Sequence, residues 1–216
     1  GEHDTAPFFV MTRLIGLPLG RWLRFGTWEN VVVVYDQVLD ALAYAHARGL
    51  IHRDLKPSNI IVTGPADHPH AVVLDYGIAV NPWADGLITG EIVGSPGYMS
   101  PEQRRGETWR ARESTDLYAF GVLLYEAICA KSPFNKSARR ADDLDSPAFL
   151  FPRAKFPLKP RQGFEELGEA LDPLLRKLLA FRTRERPLLA ADVREELARL
   201  VDRVRRAELS DEIDPP

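Results

Sequence analysis

His52-Arg53-Asp54-Leu55-Lys56-Pro57-Ser58-Asn59 is the stretch on which the reading of this sequence turns. It gathers an acid, two strong cations and an amide, and it lies between a long helical pattern and a short β-branched run. Upstream, Val31, Val34, Tyr35, Val38, Leu42 and Ala45 recur at helical spacing between Trp28 and Arg48, and Gly49 supplies a stop. Four consecutive valines, Val31 to Val34, favour a strand locally, but the sustained period decides for a helix. Downstream, Asn59 to Thr63 and Ala71 to Leu74 are β-branched runs joined by the turn formers of Gly64 to His70, which predicts a hairpin.

Further outward, residues 76–100 are rich in glycine and lack a sustained period, which predicts a long functional loop. Ser114 to Ala130 is apolar nearly all round and reads as a central buried helix, with Ser114 and Thr115 as candidate caps. The segment 131–163 holds five prolines and is expected to be irregular apart from a short helix near Pro147 to Phe151. Two more helices are predicted at about Glu166–Phe181 and Ala190–Ala207, and the acidic, proline-ended tail at 208–216 is expected to be disordered. Phe8 to Ile15 suits a buried strand leading into a loop punctuated by Gly16, Pro18 and Gly20.

Composition narrows the function classes. The 216 residues suffice for one domain with a sizeable core, and the net charge of −3 argues against a nucleic-acid binder. One cysteine, Cys129, excludes an internal disulfide and reads as a buried thiol in a reducing compartment, so a cytoplasmic location is expected. No window approaches the roughly 20 apolar residues of a membrane span, and the first residues do not form a signal peptide. His3, His68 and His70 lie in polar stretches without a ligand spacing and read as solvent-exposed. Trp83 and Trp109 flank the long loop, where they could pack or dock a substrate.

The opening stretch resembles the catalytic loop of protein kinases, His-Arg-Asp-Leu-x-x-x-Asn. Asp75-Tyr76-Gly77, directly after the second strand, resembles the magnesium motif Asp-Phe-Gly. Gly94 to Glu102, ending Ser100-Pro101-Glu102, resembles the end of the activation segment. The three motifs in this order, in the contexts the family demands, extend the resemblance over essentially the whole chain. The Lys-Pro-x-Asn form of the loop points to serine/threonine kinases, and the style of the activation segment resembles bacterial members.

What the resemblance implies follows residue by residue. Asp54 would orient the substrate hydroxyl and take its proton, and Lys56 would balance charge on the transferring phosphate. Asn59 and Asp75 would hold Mg²⁺, which favours hard oxygens and keeps several waters. Met11, Thr12 and Leu14, in a hinge at 8–16, would face the adenine of ATP, with Lys56 and Asp75 nearer the phosphates. Arg53 marks the class whose activation segment is ordered by phosphorylation, and Thr89 is the candidate site. Ser95 would supply a fixed hydroxyl to Asp54 and Lys56, and Tyr76 adds a hydroxyl needing a partner. His52 would be structural, Glu102 would pair with Arg186, and Asp116 would hold the catalytic-loop backbone.

The fold expected is mainly α with small β-hairpins, the C-terminal lobe of the protein-kinase fold with the N-lobe absent. The divisions are an N-terminal remnant at 1–7, the lobe at 8–207 and the tail. Within the lobe fall the catalytic loop at 50–60, the activation segment at 75–102 and a helical part at 114–207. The family's glycine-rich loop, ATP-binding lysine and helix glutamate find no counterpart before the hinge. Three readings follow: a fragment of a conventional kinase, a natural lobe-only binding module, or half of a split kinase with its N-lobe on a separate chain. ATP and Mg²⁺ are the cofactors of the intact enzyme and are expected to bind this chain weakly or not at all. The partners are a protein substrate and either a separate N-lobe or a second copy meeting through the exposed hinge.

Overall fold

The computed structural model describes residues 2–3, 6–7, 11–76, 94–107, 110–134 and 154–213. Among them run strands β1 (Glu2–His3), β2 (Ala6–Pro7), β3 (Gly16–Pro18), β4 (Ile60–Thr63) and β5 (His70–Val73). The helices are α1 (Leu19–Trp22), α2 (Trp28–His46), α3 (Pro101–Arg104), α4 (Glu113–Cys129), α5 (Glu165–Leu178) and α6 (Ala190–Ile213). β1 and β2 pair with each other, while β3, β4 and β5 form an antiparallel sheet in that order.

Helix α4 is the axis of the core. Fifteen of its residues are buried, from Ser114 to Tyr125 and from Ala127 to Cys129. Each Leu, Val or Phe so placed contributes on the order of 1.5–3 kcal/mol by leaving water. Helix α2 turns the six residues of its apolar stripe inward together with Val32 and Leu39. The Tyr35 hydroxyl, driven far above its ordinary pKa by burial, donates to the Leu123 carbonyl at 2.8 Å and ties α2 to α4. The chain leaves α2 through Gly49 at φ 73°, a left-handed turn that glycine adopts without steric cost. Helix α5 meets α4 where Gly121 lies, and a Cβ there would stand 2.8 Å from the Leu178 Cβ. Cys129, 5% exposed, closes α4 inside the core.

Several expectations need correction. Residues 11–15 form no strand; the strand is Gly16–Pro18, which pairs with Ile61 to Thr63. The turn-forming Gly16 is required there for close approach, since a Cβ would fall 2.4 Å from the Val62 carbonyl oxygen. The expected hairpin is therefore two strands of a three-stranded sheet. The tail is not disordered over its whole length, because α6 continues to Ile213. No proline or glycine interrupts that stretch, and the Ser210 hydroxyl donates to the Arg206 carbonyl inside it. At the start of α4 the N-cap is Arg112, with Thr115 inside the helix accepting the Arg112 N–H at 3.1 Å. Ser114 does not cap, and its buried Oγ has no hydrogen-bond partner. His3 and His70 stand in strands β1 and β5 and not in loops. Residues 8–10, Trp83, Trp109 and the short helix expected near Pro147 to Phe151 lie outside the described residues.

Candidate active site

The loop after α2 is held from the first turns of α4. The Asp116 Oδ2 accepts the His52 N–H and Oδ1 accepts the Arg53 N–H, each at 2.8 Å. The His46 Nε2 donates to the same Oδ2 at 2.8 Å from the last turn of α2. One carboxylate thus takes three charge-assisted hydrogen bonds, joining α2, the loop and α4. They fix Arg53 in the left-handed region, at φ 65°, which costs a non-glycine residue about 1–2 kcal/mol. The Arg53 carbonyl accepts from Gln103 Nε2 at 2.6 Å, so α3 grips the loop from the other side.

The His52 ring spends both nitrogens inside the scaffold. Nε2 meets the Leu74 carbonyl at 2.8 Å, and because a carbonyl only accepts, Nε2 carries the hydrogen. Nδ1 accepts the Asp54 N–H at 3.3 Å. The ring also packs on Tyr76, centroids 5.0 Å apart. A histidine committed on both sides has no proton to exchange with a substrate.

Asp54, Lys56, Asn59 and Ser95 are brought together. Lys56 Nζ donates to Asp54 Oδ2 at 2.5 Å and to Ser95 Oγ at 2.9 Å. Asn59 Nδ2 donates to the Asp54 carbonyl at 2.9 Å. The Asp54 Oδ1 is buried and accepts no hydrogen bond, while the Asp54 and Lys56 side chains as wholes keep 31% and 28% of their surface accessible. An accessible carboxylate beside an ammonium and a hydroxyl can take a proton from an alcohol and balance charge on an anionic group.

Asp75 follows β5, and its neighbour Leu74 is tied to the loop by a backbone hydrogen bond to the Asn59 carbonyl at 2.8 Å. Asp75 is exposed at φ 57°. Its carboxylate and the Asn59 amide oxygen are hard donors, the kind that Mg²⁺ takes beside waters and phosphates. Asn59 turns its Nδ2 to Asp54, which leaves Oδ1 as the available donor, and its one contact there is Ser58 Oγ at 3.4 Å. The donor set therefore fits the ion. Among the described residues no three His, Cys, Asp or Glu side chains are grouped to hold a metal on their own. The Tyr76 hydroxyl is buried without a partner; burial first and the Asp116 charge second push its pKa up to about 12. Met11 and Thr12 are exposed and Leu14 is half-buried ahead of β3. Gly77 and Thr89 lie outside the described residues.

Around this cluster stand buried polar anchors. Arg186 clasps Glu102 in a bidentate pair at 2.7 and 2.8 Å, and the Thr115 hydroxyl adds a bond at 3.0 Å. Arg186 also donates to the Ala180 and Phe181 carbonyls and lies 4.8 Å from the Tyr118 ring centroid. Burial alone would raise the Glu102 pKa; the hydrogen bonds and charge of Arg186 outweigh it and leave the carboxyl below its ordinary value. Arg104 is fully buried and donates to the Met99 and Pro96 carbonyls, with its pKa lowered by burial to about 10.

Three contributors were not anticipated from the sequence. The Ser100–Gln103 capping box at the start of α3 was readable, but not the reach of Gln103 to the Arg53 carbonyl. His46 sits on the buried face of a helix, where a histidine gives no signal of its partner. Arg104 gives none either, since an arginine in a charged stretch ordinarily reads as surface.

The protein kinase domain profile matches residues 9–196. The chain belongs to the protein kinase family, in its eukaryotic-like serine/threonine branch. Among its curated relatives is the serine/threonine-protein kinase Pkn1 of Myxococcus xanthus, 37% identical over 186 residues that cover 83% of this chain and 25% of Pkn1. Another is the serine/threonine-protein kinase PknB of Mycobacterium tuberculosis, 34% identical over 211 residues, 93% of this chain and 32% of PknB. The chain thus spans between a quarter and a third of the length of these two relatives. The kinase domain of M. tuberculosis PknI superposes with a TM-score of 0.59 at 21% identity, over 87% of this chain and 64% of that one, which establishes the fold. No helix among the described residues is long and apolar enough to cross a membrane.

Proposed function

We propose that these residues form the C-terminal lobe of a catalytic domain that transfers the γ-phosphoryl group of ATP to serine or threonine hydroxyls of proteins. The observation that carries the reading is the shared contact of Lys56 with Asp54 and Ser95, with Asn59 on the Asp54 carbonyl. Phosphoryl transfer asks the protein chiefly for positioning and charge stabilisation. Asp54 orients the acceptor hydroxyl and takes its proton, its side chain keeping 31% of its surface accessible beside Lys56. Lys56 balances charge at the transferring group, and Ser95 holds the Lys56 ammonium in place. Asn59 and Asp75 hold Mg²⁺, which supplies charge neutralisation at the phosphates when bound. Met11, Thr12 and Leu14 lie at the adenine side, and Thr89 is the phosphorylation site that Arg53 senses.

The lobe assignment is supported by the PknI match, which takes in 64% of that kinase domain. On this reading the remaining third supplies the roof and phosphate clamps of the nucleotide site, and the 216-residue chain by itself binds Mg-ATP weakly or not at all. The test has two arms. A polypeptide that carries these residues within a complete kinase domain should phosphorylate serine or threonine in a generic protein substrate. Asp54→Asn should lower that rate by about 10²–10⁴-fold. Calorimetry of Mg-ATP with the chain alone should give no heat. Undiminished transfer by Asp54→Asn would overturn the catalytic assignment, and tight binding abolished by Asp75→Asn in the chain alone would overturn the lobe assignment.

A further inference from the structure

Beside the catalytic loop a cavity of about 340 Å³ opens between α1 and the C-terminal end of α4. Pro57, the residue after Lys56, forms one wall, and Tyr98, three residues beyond Ser95, forms another. Lys56 joins Asp54 to Ser95, so the cavity is built on the same loop and turn that hold the reacting carboxylate. The cavity thus shares its walls with the segments that carry Asp54 and Ser95.

Its charge is one-sided. Among the described residues, Arg24, Lys131 and Arg161 line it against a single carboxylate, Glu126. Glu126 Oε2 already accepts the Tyr98 hydroxyl at 2.9 Å. No carboxylate among the described residues pairs with any of the three cations. Arg161 is fixed in place, because its guanidinium donates to the Leu23 and Gly26 carbonyls at 3.1 and 3.3 Å and lies 4.0 Å from the Phe164 ring centroid. Carbonyl partners hold an arginine without cancelling its charge. A concave lining with surplus positive charge raises the local concentration of anions.

We propose that this cavity receives an acidic side chain of the protein substrate, a Glu, an Asp or an already phosphorylated residue close to the acceptor serine or threonine. The proposal rests on the phosphoryl-transfer reading and adds to it a substrate class, proteins whose acceptor hydroxyl stands in acidic sequence.

The test reads binding and needs no nucleotide. Fluorescent peptides with a central serine and one Glu, Gln, Lys or phosphoserine walked along either side are titrated with the 216-residue chain by anisotropy. Glu at one or two fixed positions should tighten binding roughly 5-fold over Gln, with Lys weaker than either. Phosphoserine at the same positions should match or exceed Glu, and high salt should erase the difference. Arg24→Glu and Lys131→Glu, both at exposed positions, should invert the preference while leaving the circular dichroism unchanged. Equal binding of Glu and Gln peptides, a preference for Lys, a preference that survives both charge reversals, or no peptide binding would each overturn the proposal. Those outcomes leave the transfer reading to the Asp54→Asn assay. Conversely, a Glu preference with no transfer would make the cavity an acidic-peptide site on a scaffold without catalysis.

Discussion

Glu102 and Arg186 show how one pair of side chains can govern stability in acid. Their side chains are 2% and 0% exposed, so neither charge has water to fall back on. The Glu102 pKa lies below its ordinary 4.5, which means that the folded state binds this proton less tightly than the unfolded chain does. Its stabilisation is therefore complete above the ordinary value and is lost as pH falls through the folded one. Glu102→Gln should cost about 3–5 kcal/mol at neutral pH by leaving Arg186 buried and unmatched. In thermal melts the variant should also lose the part of the acid dependence that Glu102 contributes, and an unchanged acid limb would contradict the pairing as its source. Tyr76 presents the reverse case. Its hydroxyl is buried beside His52 with no acceptor, so Tyr76→Phe should leave stability unchanged or raise it by about 1–2 kcal/mol. A clear fall in melting temperature would mean that the hydroxyl has a partner in solution.

Among the elements, α4 and α5 approach as closely as their side chains permit. Gly121 faces the Leu178 Cβ, and a methyl group there has nowhere to go without moving a helix. Gly121→Ala should lower stability by about 1–3 kcal/mol despite the better helix propensity of alanine, as chemical denaturation will show. Much at this scale could be read in the sequence. The apolar period of α2 and the all-round apolar character of α4 are direct consequences of burying one stripe or every face. β3 was misread because turn chemistry and close backbone approach both select glycine, and Gly16 serves the second. The extension of α6 was missed because acidic composition suggests disorder, whereas residues 208–213 contain no proline or glycine to stop a helix already anchored by Val201 and Val204. In the site, Asp54, Lys56 and Asn59 lie in one short stretch and announce themselves. His46 and Gln103 become partners of that loop only through the fold, across a distance that no local pattern spans.

For the molecule as a whole, α2 and α5 pack on α4, α6 packs on α2 and α5, and the polar site is fastened to the N-terminal end of α4 through Asp116. Cooperative unfolding is expected of such an arrangement, since releasing α4 frees the loop and the core together. The chain carries its own reporter of that event. Cys129 is the sole thiol, lies 5% exposed at the far end of α4, and has its pKa raised by burial. The thiolate is the reactive form, so a thiol-specific dye can label the protein only during moments when α4 comes loose. The labelling rate, divided by that of the denatured chain, reads the opening equilibrium directly, without denaturant or heat. Ligands that grip the site at one end of the helix should slow this clock at the other, and labelling as fast as in the denatured chain would show that the core is not closed.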